Sequence, residues 1–317
     1  MSFTNKIVDK VYVINLEKDN ERLETITTSL NEQNIEFERF NAVLGSTVSE
    51  DSRVTQACNS FCTDGMKGCA LSHRSIWENM IENNYKYIMI LEDDAHIKSS
   101  FDIDLQLLWD DVPEDFDILY LGSHFYCGDT SLYNTITTAA FSKKVKEVSS
   151  NVYQVEGCGG FHAYIISQSC AKKFIDEKIG FHIDIEVMKY IKDNNLKAYA
   201  YQPVLVTSGN NVSNLSSSYP PLLTSFISKI VITDQSNSNN KSLDFFMNEY
   251  IGKIGDLEIN PLMITVFILS FLIPLKFYFL IYVWLLTEFL LSNDLKHTFH
   301  YIIITSIPFF IKKTLFN

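Results

Sequence analysis

The chain has 317 residues, of which 46% are hydrophobic, and its formal net charge is −12 at pH 7. Residues 262–317 carry +2 from four lysines, Glu288 and Asp294, so residues 1–261 carry −14. This length can bury one large core or two modest ones. The acidic balance argues against a nucleic-acid partner, because phosphate binding requires clustered Lys and Arg.

The order of the predicted elements is typical of an α/β fold. Val11–Ile14 predicts a strand, Leu23, Ile26 and Leu30 recur at helical spacing, and the alternation at 36–40 predicts a second strand. This βαβ opening favours a mostly parallel sheet. Further along the chain we expect a polar loop at 45–66, strands at 87–91, 116–122, 163–166 and 198–206, and helices at 70–83, 168–178 and 184–194.

Three consecutive acids close the apolar strand in the middle of this region. Glu92, Asp93 and Asp94 follow the run Tyr87–Leu91, which predicts a buried parallel strand. In open α/β sheets the ligand crevice lies beyond the carboxyl ends of the strands. Carboxylates gathered there need an offsetting charge, and Mg²⁺ or Mn²⁺ bridging a diphosphate would supply it. A solubilising acidic turn is the alternative interpretation of the triplet taken alone.

The N-terminus and the cysteines bear on the cellular setting. Residues 1–10 contain no apolar segment of signal-peptide length, so we expect no secretion by that route. The six cysteines form no CxxC pair and have no regular spacing, which favours buried free thiols over zinc ligands or disulfides. Residues 207–242 are rich in Ser and Asn, and their end predicts a flexible linker.

Residues 262–291 predict a membrane segment, interrupted chiefly by Pro274, Lys276 and Glu288. About 20 apolar residues are enough to cross a bilayer core of about 30 Å. Trp284 and the neighbouring tyrosines favour a membrane location over a soluble core helix. Two arrangements follow: a tilted span, or two short helices that kink at Pro274 and dip into one leaflet.

Several segments, in order, resemble glycosyltransferase family 25, which contains bacterial lipooligosaccharide sugar transferases and procollagen galactosyltransferases. The motifs are VYVINLEKDNERLETITTSLNEQNIEFERFNAVLG, GMKGCALSHRSIWENMIENNYKYIMILEDDA, DFDILYLG and GCGGFHAYIIS, and the resemblance covers residues 8–218. One departure occurs near the end of this region. The family often has a Gln and then Ser-Asp-Ile there, whereas this chain has Ser213-Asn214-Leu215 and no clear Gln, so any role of that Asp is lost or altered.

The acidic triplet resembles the family's variant of the DxD motif. The resemblance implies that Asp94 binds the metal and that Glu92 faces the ribose or the metal. Strand alternation would point Asp93 to the opposite side, although it is able to exchange roles with either neighbour.

Four residues match positions that the family places beside the nucleotide-sugar donor: Asn15, Arg22, Ser72 and His73. From the residues alone, an exposed helical arginine is a comparable interpretation of Arg22, and a structural histidine is a comparable interpretation of His73.

The resemblance also implies inversion at the anomeric carbon. Inversion by single displacement requires a base that deprotonates the acceptor hydroxyl, normally Asp or Glu. Asp184 falls where the family has a late Asp at a helix start, and Glu186 is the second candidate. The structural alternative for Asp184 is a helix N-cap, worth about 1 kcal/mol.

These inferences combine into one expectation: an α/β protein with a GT-A type, Rossmann-like, mostly parallel sheet, flanking helices and a C-terminal helical membrane segment. We expect a catalytic domain at 1–218, a linker region at 219–261 and a membrane-associated tail at 262–317, with the catalytic domain on the cytoplasmic side. The expected activity is Mn²⁺- or Mg²⁺-dependent, inverting transfer of galactose or glucose from a UDP-sugar to a glycan or protein hydroxyl, such as that of hydroxylysine. The alternative is a catalytically inactive, membrane-bound binding or scaffold protein of the same fold.

Overall fold

Two units make up the chain in the computed structural model, which describes residues 1–48, 50–124, 144–209, 215–231 and 241–316. The first unit comprises Met1–Asn59, Asp64–Asn211 and Thr233–Asn240. The second comprises Ser60–Thr63, Val212–Ile232 and Lys241–Asn317. The chain therefore contributes more than one segment to each unit.

The first unit is built on a large mixed sheet. Its described strands are β1 (Lys10–Asn15), β2 (Glu38–Asn41), β3 (Tyr87–Glu92), β4 (Ala95–Ile97), β5 (Ile118–Gly122), β6 (Val145–Glu147), β7 (Val152–Val155), β8 (Ala163–Ser167), β9 (Ala198–Tyr201) and β10 (Val206–Ser208). Eight of them form one sheet in the order β2-β1-β3-β8-β5-β9-β7-β6, and β4 pairs separately with β10. The sheet is mostly parallel in direction, because only β7 and β8 run against the other six strands.

Helices flank this sheet. Those described up to residue 209 are α1 (Thr4–Ile7), α2 (Asn20–Asn31), α3 (Gln56–Phe61), α4 (Asp64–Glu82), α5 (Phe101–Leu108), α6 (Gln168–Asp176) and α7 (Ile183–Asp193), with 3-10 turns at Gly45–Thr47 and Trp109–Asp111. Burial of the central strands on both faces explains why they appear in the sequence as continuous apolar runs.

The core has one apolar cluster on the face covered by α2 and α5. Its buried residues include Val11, Val13, Ile26, Leu30, Met89, Leu91, Phe101, Leu105, Leu119 and Ile165. On the other face, Trp77 of α4 is 1% exposed and packs against Phe174 of α6. The two layers of helices hold the strand ends, and therefore the side chains that follow them, in fixed positions.

The predicted elements of the first unit are confirmed with three differences. The strand at 163–166 is present as β8 but runs antiparallel to its neighbours β3 and β5. The strand predicted at 198–206 is divided into β9 and β10, because Pro203 lies between them and cannot donate to a strand ladder. The loop predicted at 45–66 contains α3 and the beginning of α4.

The prediction of free thiols is wrong for part of the cysteine set. Cys58, Cys62 and Cys158 are disulfide-bonded, whereas Cys69 and Cys170 are free. Irregular spacing in the sequence carries no information about which thiols the fold brings together, so the pairing was not readable beforehand.

The second unit is a group of helices of 6 to 22 residues with one hairpin. Its described elements are α8 (Pro221–Ile227), α9 (Leu243–Asn248), β11 (Gly252–Ile254), β12 (Leu257–Ile259), α10 (Pro261–Ser270), α11 (Phe279–Ser292) and α12 (Leu295–Phe316), with a 3-10 turn at Leu275–Phe277. The segment 219–261, which the sequence predicts as a linker, thus holds helices and strands. Its apolar side chains, such as Tyr219 at 2% exposure, supply part of this unit's core.

A single helix over 262–291 is not formed. The chain leaves the helix after Ser270 and resumes at Phe279, because Pro274 lacks an N–H and its ring clashes with a preceding carbonyl. Tyr278 stabilises the break by donating its hydroxyl to the carbonyl oxygens of Ser270 and Thr305, each at 3.1 Å. The kinked arrangement of short helices predicted at Pro274 is the one present.

We expect Gly122→Ala to destabilise the first unit. A methyl group at Gly122 would lie 2.4 Å from both His162 Nε2 and the Val206 carbonyl oxygen, and overpacking of this kind typically costs about 1–3 kcal/mol. The measurement is the midpoint of thermal unfolding. Gly180→Ala is the control, because its methyl group would meet Glu186 Oε1 at 2.9 Å, the end of a side chain that is able to move. A smaller loss for Gly122→Ala than for Gly180→Ala would contradict this packing.

Candidate functional site

One edge of the large sheet gathers most of the predicted site residues. Strands β1 and β3 end there at Asn15 and Glu92. The antiparallel strand β8 begins at the same edge, because Ala163 pairs with Leu91. The Glu92 N–H donates to the His162 carbonyl oxygen at 2.9 Å, which joins the two strands beyond their regular pairing. This topology brings residues from distant parts of the sequence to the position where α/β sheets bind ligands.

Glu92 faces the helix α4. Its Oε1 lies 3.2 Å from His73 Nε2, and the side chains of Glu92 and His73 are 30% and 1% exposed. Burial alone would raise the pKa of Glu92, but the hydrogen bond to His73 and the electrostatic influence of His73, His162 and Arg22 outweigh burial and leave the pKa below its ordinary value. Glu92 is therefore held as a carboxylate that reaches solvent on one side.

Asp93 faces the opposite way, as strand alternation predicts. Asn15 Nδ2 donates to its Oδ2 at 2.7 Å, and Arg22 Nη1 lies 3.3 Å from its Oδ1. Burial raises the pKa of Asp93 above its ordinary value, against the lowering effects of Asn15 and Arg22. Arg39 Nε donates to Asn15 Oδ1 at 2.9 Å and fixes the orientation of that amide. Asn15 and Arg22 are thus brought to the acidic triplet.

Asp94 and Ser72 occupy different settings. Asp94 lies in the two-residue turn between β3 and β4, is half-buried, and accepts the Gly209 N–H at its backbone oxygen at 2.8 Å. Ser72 is 1% exposed. Its hydroxyl donates to the Gly68 carbonyl at 2.7 Å and accepts the Val43 N–H at 2.8 Å, so it ties a loop to α4. Ser72 could contact a nucleotide sugar directly only if its hydroxyl gave up one of these two hydrogen bonds.

Asp184 reaches the same edge through the glycine-rich loop before β8. Its Oδ2 accepts the Gly160 N–H at 3.1 Å, and Gly160 adopts φ +84°, a conformation that favours glycine. The interpretation of Asp184 as the N-cap is wrong, because His182 occupies that position of α7. Asp184 lies in the first turn and is half-buried.

Glu186 points elsewhere. It is 9% exposed, and a methyl group on Gly180 would meet its Oε1 at 2.9 Å. Burial raises the pKa of Glu186, partly offset by Lys189, Tyr190 and the Gly180 backbone. Of the two predicted base candidates, Asp184 is the one linked to the edge that holds the acidic triplet.

Two sets of side chains are able to ligate a metal at this edge. The predicted ligands Glu92 and Asp94 offer carboxylate oxygens, which suit Mg²⁺ or Mn²⁺. Cys69, His73 and Glu92 bring a sulfur, a ring nitrogen and a carboxylate oxygen within 4.8 Å of one another, a set that suits Zn²⁺. Both nitrogens of His73 already have partners, in Tyr164 and Glu92, so a Zn²⁺ ion bound by His73 would have to replace one of these hydrogen bonds.

Several residues of this edge were not predicted as site residues: Arg39, His124, Tyr164 and His162. His162 is 2% exposed, and its ring stacks on that of His124 with centroids 4.9 Å apart. The sequence signal that could have identified His162 is its position directly after the GCGGF segment. Residues 125–143, and the departure at Ser213 and Asn214, lie outside the described residues.

The chain is similar to a set of sugar-transferring proteins. The model of glycosyltransferase family 25 (LPS biosynthesis protein) matches residues 8–187. A Haemophilus influenzae protein named as a glycosyltransferase is 28% identical over 209 residues, which are 62% of this chain and 68% of that protein. Human procollagen galactosyltransferase 2 is 23% identical over 229 residues, which cover 62% of this chain.

Coverage of the animal relatives is partial. The matched region spans 34% of the human protein and 22% of a Bos taurus family member named as inactive, which is 30% identical over 128 residues. Among solved structures, a glycosyltransferase involved in glycosylation of the major capsid of PBCV-1 covers 52% of this chain at 7% identity with a TM-score of 0.29. That structural similarity is too low to support an argument about the site.

The opposite pKa shifts of the two neighbouring acids predict opposite effects on stability. A raised pKa means that ionised Asp93 disfavours the folded state as the pH rises through the folded pKa. A lowered pKa means that ionised Glu92 favours it, and that this stabilisation is lost as the pH falls through the folded pKa. At pH 7 without divalent metal, the electrostatic effects predict that Asp93→Asn stabilises the protein and that Glu92→Gln destabilises it.

The midpoint of thermal unfolding, measured at pH 7 and again near the ordinary carboxyl pKa of about 4, tests both effects. Each difference from wild type should shrink at the lower pH. Destabilisation by both substitutions at pH 7 would contradict the assignment of opposite shifts.

Proposed function

The chain belongs to glycosyltransferase family 25, and on that basis we propose that it transfers a hexose, galactose or glucose, from a UDP-sugar to a hydroxyl group of a glycan or protein acceptor. The observation that carries this proposal is the cluster of Glu92, Asp93 and Asp94 with Asn15 and the Arg22 guanidinium at the carboxyl edge of β1 and β3. Such an edge supplies a nucleotide crevice, carboxylates for a cation and a positive group for phosphate in one place. We place this arrangement in the GT-A class of folds.

On the donor side, each residue has a role that its contacts permit. Asn15 and Arg22 hold Asp93, and Arg22, whose side chain is 19% exposed, is able to turn toward a phosphate oxygen. Asp94 and Glu92 would hold Mn²⁺ or Mg²⁺, which when bound neutralises the charge that develops on the departing diphosphate. The acids thus serve binding and departure of the nucleotide rather than proton transfer.

On the acceptor side, Asp184 is the proposed base. Its carboxylate takes the proton of the acceptor hydroxyl, whose oxygen forms the new bond to the anomeric carbon. The bond from that carbon to the diphosphate breaks, the electron pair leaves with UDP, and the configuration is inverted. The hydrogen bond from Gly160 orients one oxygen of Asp184 and leaves a lone pair for the proton.

An inactive binding or scaffold protein is the second candidate, since a relative named as a probable inactive family member is similar to this chain over 128 residues. One assay distinguishes an active transferase from an inactive scaffold: the full chain in detergent is incubated with Mn²⁺ and a panel of UDP-sugars. Release of UDP from at least one sugar is the expected result. Binding of UDP without release from any sugar would favour the scaffold.

We expect Asp94→Asn to lower turnover by about a thousandfold or more while the protein stays folded. The substitution keeps the shape and removes only the charge, and a loss of several kcal/mol of transition-state stabilisation corresponds to a drop of this size. The rate of UDP release at limiting Mn²⁺ is the measurement. Wild-type turnover by Asp94→Asn under those conditions would exclude Asp94 as a metal ligand.

The Asp184→Asn variant tests whether Asp184 acts as the base or only supports the structure. The amide oxygen of Asn is still able to accept the Gly160 N–H and loses only the local bond from the Ile185 N–H, so folding and UDP binding should stay near wild type. Transfer to the acceptor should fall by about a hundredfold or more, because the amide cannot take a proton. Glu186→Gln is the matched control, and we expect it to reduce transfer much less. Near-normal transfer by Asp184→Asn would refute the role as base.

We also propose that the second unit binds a lipid bilayer. Residues 275–292 form an apolar segment of 18 residues with a mean hydropathy of 1.5, of which 22% are buried. Exposed apolar side chains line α11, among them Leu280, Val283, Leu286, Leu290 and Leu291. Exposed apolar area of this extent is typical of a lipid-facing surface.

The buried acid of the apolar segment, Glu288, is compatible with that location. Glu288 is 0% exposed and accepts hydrogen bonds from the backbone N–H groups of Leu222 and Leu223 and from Trp284 Nε1. It therefore does not face lipid. Helices α10 and α11 have 10 and 14 residues, or about 15 and 21 Å, which is short of a bilayer core of about 30 Å. The 22 residues of α12 would reach about 33 Å, and the segment 275–292 is a candidate span by length and composition. Because the helix is interrupted between Ser270 and Phe279, the arrangement we propose is insertion of α10 and α11 into one leaflet, with the enzyme on the cytoplasmic side.

Flotation with vesicles of phosphatidylcholine and phosphatidylglycerol tests the membrane proposal. The full chain should float, and Leu286→Glu with Leu290→Glu should remove most of the bound fraction, because a charge facing lipid is costly. Leu107→Glu is the matched control, since Leu107 is an exposed apolar residue of the first unit, at 74% exposure. Full-length protein that stays in the soluble fraction would defeat the proposal.

A further inference from the structure

A chain of three buried side chains lies directly behind Glu92. Trp77 Nε1 donates to Tyr164 OH at 3.0 Å, and Tyr164 OH lies 2.9 Å from His73 Nδ1. On its far side the imidazole reaches Glu92, with Nε2 3.2 Å from Oε1. Tyr164 and His73 are 0% exposed and Trp77 is 1% exposed. The only member of this network that reaches solvent is the carboxylate at its end, whose side chain is 30% exposed.

The direction of these hydrogen bonds follows from what each group is able to donate. An indole N–H is a donor only, so the Tyr164 oxygen must accept from Trp77. The single hydroxyl proton of Tyr164 is then available for His73 Nδ1, which accepts it. A neutral imidazole that accepts at Nδ1 carries its proton at Nε2. That proton points at Glu92 Oε1.

The opposite tautomer is disfavoured by the same geometry. With the proton on Nδ1, the bare Nε2 would face a carboxylate oxygen at 3.2 Å, and the buried hydroxyl proton of Tyr164 would lose its acceptor. A buried polar group without a partner costs about 1–3 kcal/mol. Ring packing limits escape by rotation, since Phe161 stacks on Tyr164 with centroids 3.8 Å apart and lies 5.1 Å from the His73 ring.

We propose that Trp77, Tyr164 and His73 are positioning residues that hold Glu92 by one oxygen, so that its other oxygen is presented to the donor at the sheet edge. This inference rests on the proposed transferase function. It changes the predicted role of His73, which the resemblance places beside the nucleotide sugar. With a side chain that is 1% exposed, His73 acts through Glu92 and does not touch the donor.

The Tyr164→Phe variant tests the middle of the hydrogen-bonded network that links Trp77 to Glu92. The variant removes one oxygen atom and keeps the ring, so His73 Nδ1 loses its hydrogen-bond partner while Nε2 keeps Glu92. We expect kcat/KM for the UDP-sugar to fall about 10–100-fold, the range found when groups that orient a ligand residue are removed. Tyr120→Phe is the matched control, because Tyr120 is 1% exposed and pairs with Tyr164 across β5 and β8. A change in kcat/KM of the same size in both variants would mean that the network only stabilises the core, and would overturn the proposal.

Substitution of His73 gives a second, independent readout. Gln at this position has a side-chain N–H able to reach Glu92, whereas Leu fills space without a donor. We expect His73→Gln to keep at least tenfold more UDP-sugar binding affinity than His73→Leu, measured by calorimetry in the presence of Mn²⁺. Equal loss in both variants would show that volume, not the hydrogen bond to Glu92, is what His73 supplies.

The tautomer itself is measurable without any enzymatic turnover. Two-bond ¹⁵N–¹H correlation on the full chain labelled with ¹⁵N-histidine, with His73→Gln for assignment, distinguishes Nε2–H from Nδ1–H. Wild type should show His73 as the Nε2–H tautomer, with the proton directed at Glu92. An Nδ1–H tautomer in wild type would overturn the proposal. Absence of transfer with every UDP-sugar would overturn the proposed function, while the tautomer measurement would still decide the direction of the network.

Discussion

Two adjacent carboxylates at the end of one buried strand set the conditions for the whole first unit. Glu92 and Asp93 point to opposite sides of β3, so each needs its own partners, and burial opposes the charge of both. The α4 side supplies His73 for Glu92, and the β1–α2 side supplies Asn15 and Arg22 for Asp93. On the Glu92 side the partners outweigh burial and the pKa is lowered, whereas on the Asp93 side burial outweighs the partners and the pKa is raised. The strand end is thereby locked from both faces.

This arrangement explains how one short turn can serve a charged ligand. A donor that carries a diphosphate would be repelled by three free carboxylates. Here the side-chain oxygens of Asp93 contact Asn15 and Arg22, one oxygen of Glu92 is held by His73, and Asp94 lies in the following turn. In the proposed mechanism, the charge left for a cation is concentrated on Glu92 and Asp94. Stability and binding are therefore coupled at the same few side chains, as is common at functional sites.

Local patterns were sufficient to predict the strand that ends in the acids, because an apolar run followed by charges is readable within ten residues. The partners of those acids were only partly predictable. Tyr164 contacts His73 across 91 positions of sequence, and this contact exists because β8 runs antiparallel between β3 and β5. Nothing in the sequence of β8 specified its direction. The break in the apolar segment was readable locally, because Pro274 is visible in the sequence and two short helices meeting there were one of the two expected arrangements.

The central claim is that the edge formed by Asn15, Glu92 and Asp94 binds a nucleotide diphosphate through a divalent cation. Anomalous diffraction from crystals grown with UDP and Mn²⁺ tests it most directly. The account predicts one manganese peak in direct coordination distance of Glu92 and Asp94, with the diphosphate on the same ion. Manganese bound instead by Cys69 and His73, or UDP bound away from this edge of the sheet, would contradict it.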